Sequence, residues 1–159
     1  MTISRTINAP RDRVFEAWAD PGQFHKWWGA GENFTAPIAG VDLRTGGSYR
    51  QGMRTPGQDA PYVVGGVYRE VSPPKKLVYT WVWEKAPFDT SDWTPPETLV
   101  TVEFLEKGTS TEIVLTHEQF ADEHMRDEHN QGWNGCLDSL ARLLAATEVN
   151  ALIIQEKRQ

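Results

Sequence analysis

His117 is the residue whose type and place most invite chemistry. It closes the alternating run Ile113, Leu115, His117, and an imidazole at the end of a core strand can orient a ligand or exchange a proton near neutral pH. No second catalytic group stands at a matching spacing, so the plainer expectation is a histidine bonded to backbone or to a neighbouring loop. Spacing alone assigns no residue a catalytic role, and His117 is the one weak candidate. The run Glu118, Asp122, Glu123, His124, Asp127, Glu128 and His129 has the residue types of a metal site but not its spacing. His124 and His129 fall on different faces of a helix, and neither HExxH nor a paired-carboxylate pattern occurs. A solvated helix start is expected there, with no metal and no cofactor.

Cys136 is the single cysteine. It cannot form an intrachain disulfide, and its place in an apolar stripe marks a small buried hydrophobe rather than a nucleophile. Ser48 and Ser72 lack the context of a nucleophile elbow. Gly46-Gly47 and Gly65-Gly66 follow no phosphate-loop spacing and suit turns or sheet bends. Arg44 is open between a buried carboxylate, Glu70 or Glu103, and a ligand.

Recognition of an apolar molecule is the other chemistry on offer. The chain holds seven tryptophans, each a large apolar body that needs a place. On a strand, Trp81 and Trp83 share a face, as do Leu77 and Tyr79, and as do Tyr49, Gln51 and Met53. Trp133 lies on the apolar stripe of a long helix. If these faces are concave, Trp28, Tyr49, Met53, Trp81, Trp83, His117 and Trp133 line a ligand cavity of large rings with a few polar tips. The competing reading is that the rings simply fill the core.

The elements that must position these residues follow from periodicity. Ile3, Arg5 and Ile7 alternate with Thr2, Ser4 and Thr6, the pattern of a strand. Pro10 suits a helix start, Val14, Phe15 and Trp18 recur at helical spacing, and Asp20-Pro21-Gly22 ends that helix. A second short helix or turn carries Phe24, Trp27 and Trp28 until Gly29-Ala30-Gly31. Strand-like runs then follow near Thr35 to Leu43, Ser48 to Arg54, Val63 to Val71, Leu77 to Trp83, Leu99 to Leu105 and Thr111 to Glu118. Thr45-Gly46-Gly47, Pro56-Gly57, Pro73-Pro74 and Lys107-Gly108-Thr109 separate them, as in an antiparallel meander. The connection from Glu84 to Thr98 is long for a hairpin and holds three prolines and Trp93. Trp133, Cys136, Leu137, Leu140, Leu143 and Leu144 make one stripe of a long helix, with Asp122 and Glu123 near its start. The tail, about residues 147–159, is open between continued helix and disorder.

Strands gathered ahead of a closing helix predict an α+β fold: a curved antiparallel sheet around the long C-terminal helix, in one domain over 1–159. The 22 acidic and 16 basic residues give a net charge of −6. The scattered bases form no patch for a phosphate backbone, so nucleic acid is not an expected partner. No apolar run approaches the ~20 residues that span a bilayer, and the opening residues do not resemble a signal peptide. A cytoplasmic protein with no membrane partner is expected. The aromatic, proline-rich Glu84 to Thr98 segment makes a homodimer an expectation as well.

Several blocks together resemble a known family. Ile7-Asn8-Ala9-Pro10 with Val14-Phe15, Trp18 and Trp27-Trp28 is similar to the opening of START-like, Bet v 1-like (SRPBCC) domains. Asp42-Leu43-Arg44-Thr45-Gly46-Gly47, Gly66-Val67-Tyr68 and Ser72-Pro73-Pro74-Lys75-Lys76-Leu77-Val78-Tyr79-Thr80-Trp81 continue the likeness in order. Val100-Thr101-Val102-Glu103-Phe104, Leu115-Thr116-His117 and Gly132-Trp133 complete it. Within that superfamily the blocks resemble homologues of the activator of the heat-shock protein 90 ATPase. The resemblance implies a helix-grip fold with a cavity between sheet and helix, but no single reaction, because fold does not give function. Three functions are expected in this order: binding of an apolar small molecule (lipid, polyketide or aromatic compound); a cyclase- or hydrolase-type enzyme using at least two of His117, Tyr49, Arg44 and Gln51 in the same cavity; and a chaperone-directed interaction domain.

Overall fold

The computed structural model describes residues 1–28, 35–54, 62–84 and 90–157. The chain opens with β1 (Thr2–Ile7), whose Ile3 and Ile7 face the core, followed by α1 (Arg11–Ala19) and α2 (Pro21–Trp27). Asp20 ends the first helix and begins the second. Its backbone N–H bonds to Glu16, while its carboxylate accepts from Gly22 N at 3.0 Å, with Pro21 seated where no N–H is needed. The stop signal at Asp20-Pro21-Gly22 is thus also a start signal.

Six further strands form the meander: β2 (Thr35–Val41), β3 (Ser48–Arg54), β4 (Tyr62–Ser72), β5 (Lys76–Trp83), β6 (Thr98–Lys107) and β7 (Ser110–Glu118). They build a seven-stranded antiparallel sheet in the order β1-β7-β6-β5-β4-β3-β2. The chain closes with α3 (Glu123–Lys157), which continues through Val149 and Asn150, so the tail is helical up to Lys157. Asp122 caps it, accepting from Met125 N at 2.8 Å.

Two glycines answer to backbone needs. Gly46 adopts φ +85° in the turn before β3, a conformation that a side chain disfavours. Gly66 brings β4 so close to β5 that an added Cβ would lie 2.1 Å from the Thr80 carbonyl oxygen. The β4–β5 register also shifts between Tyr68 and Glu70, where the sheet bends.

The apolar face of the bent sheet closes over α3. Leu77, Val100, Val102, Phe104, Ile113 and Leu115 from the strands meet Trp133, Leu137, Leu140 and Leu144 from the helix, all buried. The two short helices plug one end: Trp27 Nε1 donates to the Ala17 carbonyl at 2.8 Å, and Trp18 Nε1 donates to Tyr79 Oη at 3.3 Å. Arg5 ties β1 to α3 through Asp138 at 2.6 Å. Among the described residues, no helix is long and apolar enough to cross a membrane. The expected break at Gly29-Ala30-Gly31, the Pro56-Gly57 turn and residues 85–89 of the Glu84 to Thr98 connection lie outside the described residues.

Candidate functional site

The described residues do not fill the core where β5 meets the first turns of α3. A cavity of about 440 Å³ remains there and reaches the surface, a volume within the usual small-molecule range. Trp81 and Trp83 from β5 and Trp133 and Cys136 from α3 line its inner part, with Trp28 from just beyond α2. Met53, Tyr62, Trp93, Met125 and Glu128 stand around it as well. Tyr62 and Trp93 are more than half exposed, so their apolar bodies mark the mouth.

The α3 lining follows from helical spacing. Met125, His129, Gly132, Trp133 and Cys136 recur every three or four residues along one face. Gly132 sits mid-helix, where glycine is unfavourable, and a Cβ built on it meets nothing within 4 Å. Its missing side chain leaves part of this wall open.

The rings hold one another in place. Trp81 contacts Trp28 edge-on at 5.6 Å and Trp133 at 5.2 Å, and Trp28 contacts Trp133 at 5.7 Å. Trp83 is fixed by its N–H, which donates to His129 Nε2 at 2.8 Å. His129 Nδ1 therefore carries the proton and donates to the Met125 carbonyl at 2.7 Å. Burial holds this imidazole below its usual pKa, so it is neutral at pH 7. The indole N–H groups of Trp28 and Trp81, by contrast, are buried and have no hydrogen-bond partner among the described residues.

Five of the sequence-derived cavity residues are brought together here: Trp28, Met53, Trp81, Trp83 and Trp133. The other two stand elsewhere. His117 is fully buried behind the cavity, accepting from Trp133 Nε1 at Nδ1 (3.0 Å) and facing Thr98 Oγ1 with Nε2 (2.7 Å). Thr98 Oγ1 donates onward to the Trp81 carbonyl at 3.1 Å, which makes Nε2 of His117 the donor. Burial, then the neighbouring His129, lowers its pKa to about 3. Tyr49 donates its hydroxyl proton to the Thr80 carbonyl and packs with Tyr68 and Tyr79; none of the three lines the cavity. Burial pushes all three phenols well up.

The remaining polar candidates also resolve. Arg44 neither meets a buried carboxylate nor faces the cavity; it pairs with Asp42 at 3.0 Å on the surface. Gln51 is buried but is not part of the lining. The acidic and histidine run is a solvated helix start only in part, because His129 turns inward while His124 stays exposed beside Glu128 at 3.2 Å. Among the described residues, no group of His, Cys, Asp and Glu is arranged to hold a metal ion. Cys136 is buried as expected, and it also borders the cavity.

Sequence reasoning missed Tyr62, Trp93, Met125, Glu128, His129 and Gly132 as neighbours of the cavity. Extending the Trp133 stripe back toward Met125 at the same spacing would have found the helical ones.

A family model described as activator of Hsp90 ATPase homolog 1-like protein matches residues 8–145. Among curated proteins, none matches the sequence. Among solved structures, the AHSA1 protein of Silicibacter pomeroyi is similar at 26% identity and a TM-score of 0.78, over 92% of this chain and 98% of that one. A Chromobacterium violaceum protein shares 23% identity with a TM-score of 0.77, covering 91% and 96% of the two chains. The AHSA1-like protein of Aeromonas hydrophila shares 22% identity and a TM-score of 0.71, over 93% and 94%.

Proposed function

The chain belongs to the activator of Hsp90 ATPase homolog 1-like family, and from that premise we propose that it binds an apolar small molecule in the cavity between β5 and α3. One observation carries the reading: large aromatic rings surround about 440 Å³ that no described side chain fills. An aromatic wall that merely completed a core would close on itself, since interiors pack at the density of organic crystals. The helix-grip fold, common to the family's solved relatives, leaves its helix and sheet meeting at this point.

The enzyme reading loses its proposed residues. His117, Tyr49, Arg44 and Gln51 do not converge in the cavity, and the hydrogen bonds of His117 and Tyr49 hold them in structural roles. The titratable side chains that do reach the cavity are Tyr62, Glu128, His129 and Cys136. The His129 imidazole has both ring nitrogens engaged, by Trp83 and by the Met125 carbonyl, which leaves it no free nitrogen to act as the base of a cyclase or hydrolase.

Native mass spectrometry of gently purified protein, followed by extraction and identification of bound material, tests the proposal. A co-purifying apolar molecule near one per chain is the expected result. If none is found, tryptophan fluorescence is titrated with lipids, polyketide mimics and flavonoids. A protein that is empty and unresponsive to the whole panel sinks the reading.

A further inference from the structure

Resting on the cavity-binding reading, the character of the lining goes on to specify charge. Six aromatic rings border the space: Trp28, Tyr62, Trp81, Trp83, Trp93 and Trp133. Aromatic faces carry negative quadrupole potential and attract cations, most strongly where water is excluded, and tryptophan is the best of them. Two methionine thioethers, Met53 and Met125, add polarizable surface. The one formally charged side chain among the described lining residues is the Glu128 carboxylate, and neither lysine nor arginine is among them.

The other polar groups do not reverse this sign. His129 is neutral, with both ring nitrogens engaged by Trp83 and Met125. The unpartnered indole N–H groups of Trp28 and Trp81 are closed off from solvent within the ring cluster, so they do not present themselves to an anion. The chain's net charge of −6 favours approach of a cation over an anion. We infer that the cavity selects an organic cation, a quaternary or fully substituted ammonium carried on an apolar body, with the charge among the rings and Glu128 at the rim. A quaternary ammonium suits such a site because it is weakly hydrated and asks for no hydrogen bonds. A primary amine would need acceptors that the rings do not supply.

Glu128 works at the surface, where its side chain is 64% exposed and stands 3.2 Å from the His124 imidazole. Its share of the binding is therefore modest and screened by salt. The rings carry the larger share.

The test pairs two molecules of one shape, phenyltrimethylammonium and tert-butylbenzene, which differ by a charged nitrogen in place of a carbon. Benzoate is the anionic control. Binding is read by tryptophan fluorescence and confirmed by calorimetry on the full chain. Phenyltrimethylammonium should bind about threefold to tenfold tighter than tert-butylbenzene, and benzoate weakest. Glu128→Gln should lower the ratio of the first two affinities by about twofold to fourfold, and more at low salt than at high.

If tert-butylbenzene binds as well as the cation, or benzoate binds better, the charge inference falls while cavity binding stands. If none of the three binds, and the lipid, polyketide and flavonoid panel is silent too, both fall together. A cation preference unchanged by Glu128→Gln and by salt would overturn the part given to the carboxylate.

Discussion

Trp133 Nε1 donates to His117 Nδ1 across 3.0 Å, joining the cavity wall to the strand behind it. The bond assigns the tautomer, since the nitrogen that accepts cannot also carry the proton. It makes Nε2 of His117 a donor to Thr98 Oγ1, which in turn donates to the Trp81 carbonyl. One buried chain of hydrogen bonds thus runs from Trp133 on α3 to the backbone of β5, and both indoles at its ends line the cavity.

Breaking that chain should be costly. His117→Phe keeps a ring in place but leaves the Trp133 N–H without an acceptor. A buried donor left unmatched costs about 1–3 kcal/mol, so the urea midpoint should fall accordingly. An unchanged midpoint would show that the chain contributes nothing.

Stability should also depend on pH with a definite sign. His117 has its pKa lowered from 6.5 to about 3, by burial and then by His129. Below pH 6.5 the unfolded chain takes up a proton that the folded chain refuses. The stabilisation is therefore complete above pH 6.5 and lost as pH falls toward 3, at a limiting slope of about 1.4 kcal/mol per pH unit. His129 is shifted in the same direction, again by burial first, and adds in the same sense. Urea midpoints should fall between pH 6.5 and 5, above the ordinary carboxylate range, and His117→Phe should lose part of that slope. A profile flat from pH 7 to 5 contradicts a buried neutral imidazole.

Two tryptophans with the same burial separate packing from hydrogen bonding. Trp81 and Trp133 are both 3% exposed, but of the two only the Trp133 N–H has a partner among the described residues. Replacing either with Phe removes a similar volume. Trp133→Phe should cost about 1 kcal/mol more than Trp81→Phe, because it also strands His117 Nδ1. Equal losses in chemical denaturation would count against the assigned bond.

Gly132 offers one substitution that raises stability and another that lowers binding. The space above it is open. Gly132→Ala should stabilise α3 by about 0.5–1 kcal/mol through helix propensity. Gly132→Leu should fill part of the cavity and weaken tert-butylbenzene or phenyltrimethylammonium binding in fluorescence titrations. Undiminished binding by the leucine variant would place the ligand elsewhere.

Gly66 should tolerate no side chain. An alanine Cβ would stand 2.1 Å from the Thr80 carbonyl oxygen, which is backbone and cannot turn aside. Relief requires β4 and β5 to part, and Gly66→Ala should lose about 1–3 kcal/mol or more, seen as a lowered Tm. A variant as stable as the parent would mean that the two strands stand further apart.

Alternation and helical spacing were enough to read the elements: all seven strands, the first helix and the long helix follow from them, and so does the helix-grip arrangement through the family resemblance. Backbone repeat is a local property, and burial of one face writes it directly into residue order. Depth along a strand is not written there. Tyr49 and Met53 share a face of β3, yet Met53 borders the cavity while Tyr49 lies among buried tyrosines, because a strand advances about 13 Å over four residues. His117 shows the same limit: its face was legible, but the Trp133 indole that stands between it and the cavity comes from another element. His129 reads as solvated within a polar run, and only the packing of α3 against Trp83 turns it inward. Residue order determined which side chains point toward the core; the bend of the sheet and the seating of the helix decided which of them meet a space left unfilled, since that space exists only between elements far apart in the chain.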